Sequence, residues 1–312
     1  MLKNKLLVIL IVVLAAFMLP NLITLAQVAD LNWTTPFRIS ARDLRSSEAS
    51  LVNDDFGYVH AFWAEKLPDD RSIIQYSRYD GEVWTVPISI HISPATLEIE
   101  SLSTFIDADA YINVYWTEGV LQSYIRLTRA PISEALSSQA WGSALQSRFL
   151  AKSVRAVVDR QGVHHVIFSR LELVGRGMFY MNSEDHGLTW SAPVWLDPDI
   201  PIGLVPDNLS LVIDKYDTLH ATWNYASLTV GSDFYNWVRY ARLPAGETKW
   251  SYTTIDRVNA EDLANNYQLN LASPVMAVSG DQVVVIWAGG HAGRECRPAM
   301  STRPGDRRHW PG

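Results

Sequence analysis

Four side chains able to do chemistry recur at one place in the pattern of this chain. Glu65 stands two residues after Trp63, Glu118 two after Trp116, Arg170 two after Phe168 and Tyr225 two after Trp223, and Gly289 holds the same place after Trp287. Carboxylates move protons, and a guanidinium forks onto a carboxylate. If the aromatics mark equivalent strands, these groups line one mouth. The plain alternative is charge solvated at strand ends. The segments that follow add Asp69, Asp70, Arg71, Glu172, Arg176, Asp233, Tyr235 and Trp237. Of these, Arg71, Arg176, Tyr235 and Trp237 are candidates for substrate binding.

The elements that must position these groups are set by two interleaved phrases. One is headed by tryptophan at Trp33, Trp84, Trp141, Trp190, Trp250 and Trp310, spaced 49 to 60 residues apart. The other is an apolar run, a turn and a strand ending in an aromatic, as in Leu51-Val-Asn-Asp54 to Trp63 and Leu211-Val-Ile-Asp214 to Trp223. Out-of-phase markers with one period mean one supersecondary unit used about five times. Units that cannot bury their own faces must stack into one body.

Within the first unit, residues 50–53 read as a short strand and Asp54 to Gly57 as a turn. Residues 58–63, YVHAFW, are apolar on both faces and so buried on both sides. Residues 73–78 make a third strand, Asp80-Gly81 a hairpin turn and 83–90 a fourth strand. The third strand carries Tyr76-Ser-Arg78, Tyr124-Ile-Arg126, Tyr180-Met-Asn182 and Tyr240-Ala-Arg242 in four units. The fold expected is an all-β propeller of four-stranded antiparallel blades.

Ser183-Glu-Asp185-His-Gly187-Leu-Thr-Trp190 is a full match to the Asp-box S-x-D-x-G-x-x-W. With the repeat in register, the chain over about residues 30–290 resembles the sialidase-like β-propeller superfamily. The resemblance makes Ser183, Asp185, Gly187 and Trp190 structural, on the face away from ligand. It implies six blades in the intact form: the five units seen here plus an N-terminal strand at Trp33 that closes the last blade. It implies carbohydrate or glycoconjugate recognition, with exo-sialidase or related glycosidase activity in view and a non-catalytic glycan- or protein-binding propeller as the alternative. In such enzymes a Glu-activated Tyr, an acid/base Asp and several Arg do the work. Glu65, Glu118, Arg170 and Tyr225 are the catalytic candidates. Phe37-Arg38-Ile-Ser resembles the family's F/Y-R-I-P motif, whose Arg binds the substrate carboxylate, but Ser replaces Pro and the repeat places Arg38 in a fourth strand.

The 312 residues carry a net charge of −7, which argues against a nucleic-acid surface. Lys3 and Lys5 precede an apolar run from Leu6 to Leu19, so residues 1–26 read as a signal peptide or an N-terminal membrane anchor. The propeller is expected over residues 27–288, exported as a monomer, either secreted or membrane-associated through that segment. The single cysteine, Cys296, allows no internal disulfide. Residues 289–312 hold five arginines and no strand pattern, as in a truncated or frameshifted end; five blades closing directly, with a loose tail, is the other reading. No cofactor motif is present and no metal site is expected. His60, His165 and His220 each follow a unit's Asp by six residues, with Asn113 in the same slot of the second unit. Spread over different strands, they read as structural. His164, His186 and His291 form no pattern.

Overall fold

The structure is a computed structural model that describes residues 35–41, 43–120, 123–172, 175–199, 204–227, 236–258, 272–280 and 282–288. Residues 1–38 and 39–312 are separate compact units, and the fold described is that of the second. The signal or anchor segment, Trp33, Tyr235 and the tail at 289–312 lie outside the described residues.

The first sheet is β1 (Arg45–Asn53), β2 (Val59–Lys66), β3 (Ser72–Tyr79) and β4 (Ile88–Ile92), paired in chain order. The second is β5 (Glu98–Ile106), β6 (Tyr111–Gly119), β7 (Ser123–Pro131) and β8 (Leu145–Leu150). The third is β9 (Ser153–Val158), β10 (His164–Arg170), β11 (Gly177–Ser183) and β12 (Val194–Trp195). The fourth is β13 (Leu204–Ile213), β14 (Leu219–Ser227), β15 (Asn236–Leu243) and β16 (Ser251–Val258). The fifth shows β17 (Ala272–Ser279) and β18 (Gln282–Ala288). Every pairing is antiparallel between sequence neighbours. Four complete blades and the first two strands of a fifth are thus described.

The core lies between sheets, as both-face apolar strands require. Phe62, Ile74 and Tyr76 of the first blade pack with Val114, Trp116 and Trp141 of the second. Tyr115 and Leu127 meet Val166 and Phe168 of the third, and Ile167 and Met178 meet Trp223 and Trp250 of the fourth. Trp116 and Trp223 are fully buried, so truncating either to Ala removes roughly 3–5 kcal/mol. First strands of successive blades lie side by side. Ser50 Oγ is 2.9 Å from Thr104 Oγ1, Ser101 and Ser103 bond the backbone of Val154 and Ala156, and Met276 N donates to Ser210 Oγ at 3.1 Å. Sheets joined edge to edge by their first strands and face to face by their cores make a β-propeller.

Four sequence expectations need correction. The first strand begins at Arg45, not Ser50, because a bulge between Ser47 and Ser50 interrupts its alternation. The described repeat tryptophans, Trp84, Trp141, Trp190 and Trp250, stand before the fourth strand rather than in it: Trp84 makes only an isolated bridge to Tyr79, and β4 starts at Ile88. Pro87, and Pro193 before β12, have no N–H to offer a ladder. Tyr124 is not equivalent to Tyr76, Tyr180 and Tyr240. Those three lie opposite Phe62, Ile167 and Thr222, whereas the matching Tyr115 lies opposite Leu127, and Tyr124 lies opposite Glu118. Residues 35–41 carry no strand.

Candidate functional site

Antiparallel order sends the turns after first and third strands to one rim, and the loops after second strands and between blades to the other. The first of these rims is built by repetition. Asp54 Oδ1 accepts the N–H groups of Phe56 and Tyr58, and its Oδ2 faces His60 Nε2 at 3.3 Å. His60 Nδ1 is in turn 2.8 Å from the Tyr76 hydroxyl. Asp159–His165–Tyr180 and Asp214–His220–Tyr240 repeat the arrangement, with 2.7 Å His–Tyr contacts. A carboxylate only accepts, so each ring donates from Nε2 and takes the Tyr O–H at Nδ1. Burial lowers the pKa of His60, His165 and His220, against the pull of the aspartates, and keeps the rings neutral.

The second blade departs from this plan. Asn113 Nδ2 donates to Asp107 Oδ2 at 2.9 Å, and Arg129 Nη2 donates to the same oxygen at 3.0 Å. Leu127 fills the Tyr place. Beside it lies the Asp-box of the third blade. Ser183 Oγ donates to Asp185 Oδ1 at 2.8 Å, Thr189 N donates to the same atom at 2.8 Å, and Gly187 N donates to Ser183 Oγ at 2.8 Å. The Thr189 hydroxyl and N–H hold the Asp185 carboxyl down to about 2. Gly187 has φ 88°, and a Cβ there would overlap Leu127 Cδ2. Ser183 and Asp185 thus gather the backbone N–H groups of the hairpin between β11 and β12.

On the opposite rim the four catalytic candidates occupy equivalent second-strand positions, but each is engaged locally. Glu65 is buried and accepts from Ala41 N at 3.0 Å, Trp63 Nε1 at 2.9 Å and Gln75 Nε2 at 3.2 Å. Glu118, also buried, meets His91 Nε2 at 2.7 Å and Arg126 Nε. Arg170 Nε donates to Glu172 at 3.3 Å. Tyr225 is fully buried; burial, then the nearby Asp197 carboxylate, raises its hydroxyl well above the usual range. No hydrogen bond or ion pair joins any two of the four among the described residues. Trp237 lies opposite Tyr225 in the sheet, 5.0 Å from the Arg239 guanidinium that forks onto Asp197 at 2.8 and 3.1 Å. Arg71 pairs with Asp69 at 2.8 Å, Arg176 Nε donates to Leu171 O at 3.2 Å, and Arg38 is exposed in the first compact unit.

Sequence reading found Glu65 but missed the groups that gather beside it where the first strands start. Arg45, Glu65, Lys66, Ser72 and Glu98 line a cleft between the first two blades. Lys66 Nζ lies 3.8 Å from Glu98 and 3.7 Å from Asp70, and Lys152 pairs with Glu100. Deeper along the first strands, Arg155 Nη1 donates to Ser101 Oγ and Val154 O, both at 2.7 Å. Burial lowers its pKa, opposed by the Glu48 and Asp207 carboxylates of two other blades. The turn-to-turn register would have carried Arg45 and Glu98 into view; the bulge hid them.

Fold and rims together define a β-propeller of four-stranded antiparallel blades. No protein-family model matches the chain, and no curated protein matches it significantly. Solved structures do. A protein of unknown function from Dyadobacter fermentans DSM 18053 superposes with a TM-score of 0.55 at 13% identity, over 78% of this chain and 75% of its own. The α-L-arabinanase of Penicillium chrysogenum, complexed with arabinobiose, gives 0.54 at 13% identity, over 80% and 76%. At such identities the likeness is one of fold.

Proposed function

We propose that this protein is an exported carbohydrate-binding propeller whose ligand rests on the rim where second strands end. The observation that carries the reading is the cleft between the first two blades, where Arg45, Lys66, Glu65 and Glu98 present donors and acceptors of both signs. Sugar hydroxyls both donate and accept, and such mixed walls suit them. The fold shared with an arabinanase complexed with arabinobiose adds support, and the apolar run after Lys3 and Lys5 supports export. Binding is favoured over sialic acid hydrolysis because Arg71, Arg170 and Arg176 each close on a neighbour of their own. A buried Tyr225 with its hydroxyl raised is also a poor nucleophile.

Two carboxylates in one cleft, Glu65 and Glu98, favour glycoside hydrolysis as the second reading. Titration of the full chain with neutral and acidic oligosaccharides tests both. Binding that weakens at least tenfold in Lys66→Ala/Glu98→Gln supports the platform. Release of reducing ends, lost in Glu98→Gln, replaces it with the hydrolase. Absence of binding to any oligosaccharide overturns both.

A further inference from the structure

Asp107, His164 and His186 come from three separate places: the turn after β5, the start of β10 and the Asp-box of the third blade. They nevertheless bring one ligand atom each to within 4.8 Å of one another. His164 is fully buried, and its Nε2 has no hydrogen-bond partner; nor has the buried Nδ1 of His186. A buried polar atom left without a partner is costly, and here two lie in one cluster. His164 is also oriented from behind, its Nδ1 being 2.7 Å from the Tyr115 hydroxyl. With that nitrogen donating to Tyr115, the Nε2 lone pair is directed into the cluster. A metal-bound imidazole is held in the same way by a partner on its second nitrogen. The two rings sit with centroids 5.6 Å apart at 67°, so they do not stack face to face and exclude an ion.

We propose that Asp107, His164 and His186 bind one divalent transition metal of the zinc class, stapling the second blade to the third. Two imidazoles and a carboxylate are a set zinc accepts, with a water completing four-coordination. His186 is only half-buried, which leaves an entry path from the rim. One group stands against the metal: Arg129, whose Nη2 holds Asp107 Oδ2 at 3.0 Å beside Asn113. The metal therefore enters by displacing Arg129 from that oxygen, while the guanidinium keeps its place over the Tyr111 ring at 4.0 Å. The site lies on the rim opposite the proposed carbohydrate face, and metal binding is measured without sugar, so either idea can fail alone.

The test uses the full chain, stripped with EDTA, dialysed and titrated calorimetrically with ZnCl2 and CoCl2. One tight equivalent per chain is expected, with a visible Co(II) band of tetrahedral intensity and a Tm that rises on Zn(II) addition. His186→Asn, a residue type that tolerates the φ of 58° found there, should weaken binding at least tenfold. Arg129→Gln should tighten it by about tenfold, since it removes the competing cation. Absence of a tight equivalent in the wild-type chain overturns the proposal. So does equal affinity in His186→Asn, which would put the metal on other histidines, or weaker binding in Arg129→Gln.

Discussion

The second blade and its neighbours solve the same problem differently. In the first, third and fourth blades one Asp gathers two backbone N–H groups and a histidine of its own next strand, and a tyrosine of the third strand completes the line. In the second blade the histidine is Asn113 and the tyrosine is Leu127, and both changes come together. The histidine near Asp107 is instead His164 of the next blade, which bonds Tyr115. A relay closed within one sheet has become a contact between two. The lesson is that repeat positions co-vary as sets: a His without its Tyr would leave Nδ1 unpaired in the core.

The comparison is broken or sharpened by four measurements. Asp54→Ala removes the acceptor of three hydrogen bonds and should lower stability by roughly 3 kcal/mol in urea unfolding, against about 1 for Asn113→Ala. Equal losses would mean that the second blade's turn is no weaker than a relay. Leu127→Tyr, which installs the missing hydroxyl, should destabilise by about 2 kcal/mol, because the Asp-box glycine of the third blade fills the space. Stabilisation would show that the blade merely lost its tyrosine. Gly187→Ala places an L side chain at a φ of 88° and should cost about 1–2 kcal/mol, read from the shift of Tm.

The smallest effect is that of pH. His60 faces Asp54, Tyr76 and Arg78, and His220 faces Asp214, Tyr240 and Arg242, and both have pKa values lowered by burial. A histidine with its folded pKa below the unfolded value binds fewer protons in the native state, so its stability contribution is present above about 6.5 and lost as pH falls toward the lowered value. Each should remove less than about 1 kcal/mol between pH 7 and 6. A urea midpoint that stays flat from pH 7 to 5 would show that the relays take up protons without loss.

Much of the fold was legible because it is repeated. The Asp and His of each relay stand six residues apart in sequence, and their shared offset marks them as one device. The Asp-box carried its own geometry in Asp185 and Gly187. What was not legible depends on register. Tyr124 matches the tyrosine phrase by type yet stands three residues away from the equivalent position, since β7 pairs with β6 from Ser123 opposite Gly119 onward. Arg45 and Glu98 lie beyond bulges that break the period-two signal. Asp107, His164 and His186 share no offset at all; only the docking of one blade on the next brings them together.

The bulges themselves have one more consequence. Glu48, Ser101, Asn208 and Ser273, all with positive φ, stand at an extra residue in β1, β5, β13 and β17, while β9 pairs without one. An added residue flips every side chain beyond it to the other face. Each bulged strand is therefore two segments with independent phase: one after the bulge, in register with the core strands, and one before it that ends on the rim. Insertions or drift in the segment before the bulge can be absorbed there without turning a core residue outward. Sequence change before the bulge is thus open to four of the described first strands and closed to β9, whose Arg155 is fixed to the same frame as the core beneath it.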